Sequence, residues 1–440
     1  MNEKDLLKCR VRLIEFVTDI LDPLPPKVAG KWGQVYIRGL LLNGDRKSIE
    51  PMANRMPDGN VQAMQQLVGQ SPWPWQPVRE RFARRMASAL GTICAWIVDD
   101  TSFPKKGEHS VGVARQYCNS LGKVANCQIG VSLHIANEER SVPIDWAIYL
   151  PESWANDRER CGKAGVPDEV EFHTKWRLAL AMIDRALTWG IPTGVLLSDA
   201  AYGKVVEFRS GLRARKLKYV VAIDKETKAW NNSIVRQPVP YRGIGRPPVP
   251  KYESCEPPKS VLEIAQSLPE EAWQKITWRE GSKGPLSSRF ARLRVQPSHG
   301  HSKNKMEQPE TWLLIEWPEG EEEPPNYWLS NLPKTISLVH LVCYAKQRTL
   351  IEQDYQELKE ELGLDHFEGR GYLGWHHHVT LVSIAYGFLL LERMRSKGNC
   401  KLTVPMIRHK IQLILAAWTG ICNVCHQPVA LDKQLEFDFP

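Results

Sequence analysis

Two short apolar runs, "CAWIVDDT" (94–101) and "GVLLSD" (194–199), each end in carboxylates. A continuous apolar run of roughly four to eight residues marks a strand buried on both faces, as in the centre of an α/β sheet. Two such runs commit the chain to layers of helix packed on a sheet. They also set Asp99, Asp100 and Asp199 at the carboxyl ends of central strands, where open α/β sheets carry their sites. Asp often ends a strand simply because it starts a turn, so each aspartate alone keeps that plainer reading.

The neighbouring segments extend the pattern. "NCQIGVSLHIA" (126–136) and "SVPIDWAIYL" (141–150) alternate like strands around the turn "NEER". "FHTKWRLALAMIDRALTWG" (172–190) has helical period and stops at Gly190, with Pro192 just beyond. "YGKVVEFRSGLRARK" reads as helix and "LKYVVAI" (217–223) as strand. The expected order is three strands, helix, strand, helix, strand. Residues 1–90 read as short helices with arginines between them. They suit a small DNA-binding bundle or a helical cap on the next domain. Residues 224–342 are rich in Pro and Gly, with strand candidates "SRFARLRVQP", "TWLLIEWP" and "NYWLSNLP".

At 440 residues the chain passes the roughly 250–300 at which single cores stop growing. The expected division is a helical DNA-binding domain (1–90), a catalytic domain (91–223 and 343–398), a β-rich insertion (224–342) and a C-terminal helical appendix and tail (399–440). The net charge is +8, and residues 1–90 hold fourteen Lys plus Arg against nine Asp plus Glu. That imbalance points weakly to a polyanionic partner. "MNEKDLLKCR" lacks a signal-peptide pattern, and the longest apolar run, "VTLVSIAYGFLLL" (379–391), is too short to cross a bilayer. The expected place is the bacterial cytoplasm, at the nucleoid, with no membrane partner. Ten scattered cysteines fit reduced thiols, and "CNVCH" (422–426) offers half of a zinc ligand set. Most of the sixteen tryptophans are expected in the core, with some available for stacking on bases.

A further stretch, "RTLIEQDYQELKEELG" (348–363), reads as one helix. Steps of four and seven residues keep Arg348, Glu352 and Lys359 on one side, while Leu350, Ile351, Leu358 and Leu362 take another. The plain reading is a helix laced with i,i+4 ion pairs. Alternatively, Glu352 converges with Asp99 and Asp199. Three such carboxylates suit hard divalent cations, and two ions can drive phosphodiester displacement.

These segments, together with "WIVDDTSFPKKGEHSVGVARQY" (96–117), "GKVANCQIGVSL" (122–133), "LLSDAAYG" (196–203) and "RTLIEQDYQELKEELGLDHFEGRGYLGWHHHVTL" (348–381), resemble bacterial insertion-sequence transposases of the DDE superfamily. The resemblance covers nearly all of 30–395. It implies a ribonuclease H-like α/β fold: a mixed sheet flanked by helices, with a helical N-terminal domain and a β-rich insertion subdomain. It implies Asp99, Asp199 and Glu352 as catalytic metal ligands for two Mg²⁺ ions, with Mn²⁺ as substitute. Asp100 is the alternative to Asp99, which is favoured because it directly follows "AWIV". The family's Y-R-E-K signature falls on Arg348, Glu352 and Lys359, with the Arg and Lys holding phosphates. Tyr344 lies four residues before Arg348 rather than three, and Thr349 stands where relatives commonly have Trp. The loop "KKGEHSVGVARQY" supplies Lys105, Lys106, His109 and Arg115 as expected DNA contacts.

The activity implied is binding of terminal inverted repeats in double-stranded DNA, cleavage at the ends, and joining of the 3′-hydroxyls to target DNA. The assembly implied is a homodimer or higher. The insertion resembles the subdomain that in some relatives supports a DNA hairpin. The alternatives are a catalytically idle DNA-binding regulator of the same descent, and a nuclease of the same fold that never joins strands.

Overall fold

The computed structural model describes residues 3–25, 29–42, 44, 46–231, 243–245, 257–281, 284–298, 308–395, 403–406 and 408–409. The "CNVCH" motif and nearly all of the expected appendix and tail lie outside those residues. The chain forms two compact units. The first is Met1–Ile93, Asp100–Pro192 and Leu350–Pro440, and the second is Cys94–Asp99 and Thr193–Thr349. Strand β1 (Ala95–Pro104) contributes its opening residues to the second unit and its closing residues to the first.

In the first unit, β3 (Lys123–Ala136) pairs antiparallel with β2 (Ala114–Cys118) near its start and with β4 (Ser141–Tyr149) along the rest. The closing part of β1 neighbours β3. Strand β2 is absent from the sequence reading, which took 105–117 as a basic loop. Its outward residues Arg115 and Tyr117 disguise the alternation, and Gly122 at φ 63° closes the turn into β3. Helix Lys175–Thr188 packs on β3 and β4.

Helix Tyr372–Arg395 is buried around nearly its whole circumference, which is why its apolar pattern shows no preferred side. Helices Glu3–Leu21, Gln34–Leu41 and Trp75–Leu90 contact it, as does β4. Consecutive histidines on this helix diverge and fasten it in three directions. The His376 ring stacks on Trp75 at 4.4 Å, and His377 stacks on Trp73 at 3.5 Å. His378 accepts from the Tyr36 hydroxyl at 2.9 Å and donates to the Gly363 and Leu364 carbonyls. The arginines of the N-terminal helices are largely taken up within the unit. Arg12 meets Glu392, Arg38 meets Asp58 and Arg81 meets Asp19. Arg79 is buried and donates to Asp145, Thr380 and the Trp146 carbonyl.

In the second unit the start of β1 pairs parallel with β5 (Val195–Ser198), and β5 pairs parallel with β6 (Tyr219–Ile223). Antiparallel strands continue from β6: β12 (Asn326–Ser330), β11 (Thr311–Glu316), β10 (Gly284–Pro297), β7 (Lys228–Asn231) and β8 (Lys259–Ser260). Strand β9 (Gln274–Gly281) pairs with β10 and was not legible, because "QKITWREG" is too polar for a buried run. Helices Ala200–Gly203 and Val206–Ala214 link β5 to β6. Gly203 is required here, since an added Cβ would lie 1.9 Å from the Ala222 carbonyl oxygen. The three parallel strands β1, β5 and β6, the antiparallel strands that continue from them and the flanking helices make a mixed α/β sheet, as expected.

Burial pushes the His378 pKa down to about 3 and that of His376 well below its usual range. His377 sits between the Val68 and Trp73 carbonyls, each 2.8 Å away, which pull against the burial that lowers it to about 4. The unfolded chain therefore takes up protons below about pH 6.5 that the folded ring of His378 refuses, so stability falls with pH. For His378 the loss by pH 5 is roughly 2 kcal/mol, with His376 adding in the same direction. Guanidinium denaturation at pH 7 and pH 5 should show a clearly lower midpoint at pH 5, and equal midpoints would contradict neutral, buried rings.

Candidate functional site

In the second unit two expected acids stand side by side. Val98 and Ser198 are paired across β1 and β5, and the next residue on each strand is an aspartate, Asp99 and Asp199. Asp199 ends β5 and caps the following helical turn, its Oδ1 accepting from the amides of Ala201 (3.1 Å) and Tyr202 (3.3 Å). Asp99 is buried, and its Oδ2 accepts from Arg348 Nη1 at 2.6 Å. Arg348 reaches it from the end of helix Leu338–Gln347. A carboxylate and a guanidinium at this distance form a strong charge-assisted hydrogen bond.

The helix expected across 348–363 is Thr349–Glu360, and a separate helix, Leu338–Gln347, ends just before Arg348. The Thr349 hydroxyl donates to the Lys346 carbonyl at 2.9 Å, a back-bond that competes with the helical ladder and bends helices. Gly363, at φ 65°, follows the second helix.

The first unit holds the remaining candidates. Asp100 is buried and accepts from Lys175 Nζ at 2.8 Å, so the two adjacent aspartates have different partners, as strand alternation requires. Lys175 itself was missed, since nothing in its local pattern marks it. Glu352 is exposed on its helix, while Leu350, Ile351, Leu358 and Leu362 are buried. Lys359 Nζ donates to the Ser102 carbonyl at 3.0 Å, and Lys105 Nζ to that of Phe367. Burial lowers the pKa of Lys359, and that of Lys105 to about 8. These two lysines are thus engaged by the protein's own carbonyls, whereas Lys106, His109 and Arg115 are exposed.

A buried polar chain locks the helix that bears Glu352. Tyr355 OH lies 2.7 Å from Ser132 Oγ, which lies 2.9 Å from His134 Nε2. His134 Nδ1 lies 2.8 Å from Asp354 Oδ2, to which the Ser141 hydroxyl also donates. Tyr386 OH lies 2.8 Å from both Asp354 Oδ1 and Glu357 Oε2, and its one proton is shared between them. The Ser–His–Asp order has the form of a nucleophile relay, but Ser132 and His134 are 0% exposed, so it serves packing. In the second unit, Lys346 pairs with Glu316 and lies over Trp278 (4.7 Å) and Trp328 (5.6 Å), so these tryptophans hold a lysine.

Among the described residues, no group of three or more His, Cys, Asp or Glu side chains is gathered to hold a metal ion. The donor chemistry of Asp99 and Asp199 nevertheless fits a hard divalent cation, being all carboxylate oxygen from neighbouring positions of two adjacent strands. No helix among the described residues is long and apolar enough to cross a membrane.

A family model described as DDE superfamily endonuclease matches residues 20–285. The chain is 28% identical over 187 residues to a probable transposase for insertion sequence element IS701 from Microchaete diplosiphon. That alignment covers 42% of this chain and 46% of the relative, so the chain spans about half of the relative's length. A cryo-EM structure of a piggyBac transposase synaptic complex with hairpin DNA aligns over 94% of this chain and 80% of its own, at 11% identity and a TM-score of 0.46.

Arg348 occupies Asp99 with the same sign of charge that a cation would bring. Arg348→Ala should therefore tighten Mn²⁺ binding to the DNA-free protein by about tenfold or more, since a hydrogen bond to a charged group contributes roughly 1.5–3 kcal/mol. Titration calorimetry reads this directly, and unchanged or weaker binding would show that the arginine does not compete at Asp99.

Proposed function

The chain belongs to the DDE superfamily endonuclease family, and on that premise we propose that it is a DNA transposase. It binds the inverted repeats at the ends of its element, cuts there, and joins the freed 3′-hydroxyls to target DNA. The observation that carries this reading is the pair Asp99 and Asp199, set in neighbouring register by the parallel strands β1 and β5, with the Arg348 guanidinium on one of them. The likeness to the IS701 transposase supports it.

In this reading Asp99, Asp199 and Glu352 hold divalent cations, Mg²⁺ or Mn²⁺. The chemistry such ions supply when bound is activation of the attacking water or hydroxyl and stabilisation of the leaving oxygen. The protein's own contribution is position. The parallel pairing of β1 and β5 fixes the two aspartates, and the Ser132–His134–Asp354 chain fixes the phase of the helix bearing Glu352. Arg348 guards Asp99 in the free protein and pairs with a DNA phosphate once the carboxylate has a metal partner. Asp100, tied to Lys175, supports the sheet end instead of binding metal. Two ends must be processed together, so the working form is at least a dimer.

Asp99→Asn, Asp199→Asn and Glu352→Gln should each reduce cleavage beyond the roughly 10–100-fold that loss of an outer partner costs, and leave end binding within about twofold. Cleavage of a labelled end duplex in Mn²⁺, beside a gel-shift measurement, checks both. Asp100→Asn should retain cleavage, and its loss there with retention in Asp99→Asn would exchange the two roles. Joined products with a target duplex distinguish a transposase from a nuclease that only cuts, while binding without nicking would leave a regulator.

A further inference from the structure

Three large apolar side chains lie exposed within eight residues of one another: Tyr117 (59% exposed), Leu121 (48%) and Val124 (55%). They sit on the β2–β3 hairpin, where Tyr117 is directly opposite Val124. Opposed residues share a face, so these two form one apolar patch, and Arg115 lies two residues along on the same side. Residues 119–124 are all exposed, so the tip stands into solvent. The hairpin's other side is anchored, with Cys118 and Cys127 buried beside Ile129.

The preceding loop is fastened to this ribbon. The Lys105 amide donates to the Asn126 carbonyl at 2.9 Å, and Asn126 Nδ2 donates to the carbonyls of Lys105 (3.0 Å) and Gly107 (2.8 Å). Exposed Lys106 and His109 thereby belong to the same surface. Across residues 105–127 there are four Lys plus Arg and a single acid, Glu108. An exposed apolar patch rimmed by polar groups marks an interaction site, and a rim of this sign selects a polyanion. A two-stranded antiparallel ribbon also has the cross-section that enters the major groove of duplex DNA.

We propose that the β2–β3 hairpin is a duplex-DNA contact, with Tyr117 and Val124 against the base edges and two phosphate contacts, Arg115 on the same face and Lys123, exposed at the tip, from the other face. Thymine methyl groups are the apolar partners available there. The assignment rests on the DNA-acting reading above, but it places contacts on a ribbon separate from Asp99 and Asp199.

The test is fluorescence anisotropy of the full chain with a fluorescein-labelled duplex of mixed sequence, across a salt series. Tyr117→Ala with Val124→Ser should weaken binding by about tenfold, with the salt slope unchanged, as loss of apolar base contact requires. Arg115→Ala with Lys123→Ala should flatten the slope by about 2, since each lost phosphate contact removes roughly 0.9. Val339→Ser, at another exposed apolar position, should bind as the parent does. Thermal midpoints should stay together, because every substituted side chain is exposed. Parental binding by both hairpin pairs, while the parent binds duplex, overturns this assignment and leaves the transposase reading standing. Loss of self-association on sedimentation with DNA affinity intact overturns it in favour of a contact between copies. Failure of the parent to bind duplex removes both.

Discussion

A carboxylate without water has to be answered by donors, and Asp354 is answered by His134, Ser141 and Tyr386. Those three come from β3, β4 and the long helix, so one acid ties together every layer of the first unit. The consequence is geometric. Asp354 is two residues beyond Glu352, and a helix turned to satisfy Asp354 has no freedom left in where Glu352 points. Burying charge is a poor route to stability, but it is an effective way to specify one arrangement, because every alternative strands a polar group. Arg79 and Asp145 repeat the device under the N-terminal helices, with Arg185 as a second donor to the same carboxylate.

The second unit handles charge differently. Asp99, midway along β1, and Asp199, just past β5, stand on adjacent parallel strands, and each already has a donor in the free protein. The acid side chains are thus oriented in the free protein. Adjacent Asp100 shows how little sequence distance means in a strand. One residue along, it faces a lysine on another helix.

The central strands and the long buried helix were plain in the sequence, since continuous apolar runs leave few alternatives. Three features were hidden for separate physical reasons. Strand β2 and its hairpin carry their apolar residues outward, reversing the usual sign of the pattern. The break at Arg348 depends on one hydroxyl turning back to a carbonyl, which helical periodicity does not record. The His134–Asp354 chain joins residues 220 positions apart, and nothing local distinguishes them. The candidate acids read as ending two strands and lying on a helix. The structure differs at the first, since β1 runs on past Asp99 to Pro104 through residues too polar to read as a buried run. The partners Lys175 and Ser132 were not legible, because partnership is a property of the folded chain.

The ring stacking of Trp73 and Trp75 on His377 and His376 makes the leading ninety residues a fixed part of the first unit's interior rather than an accessory joined by a tether. A fragment trimmed to start at β1 would bare the flank of the Tyr372–Arg395 helix, with two imidazoles stripped of their aromatic lids and His378 deprived of the Tyr36 hydroxyl. Such a fragment would be sticky and prone to clump. Expression of the core alone, or exchange of its amino-terminal segment for that of a relative, would have to carry the matching histidine-bearing helix along.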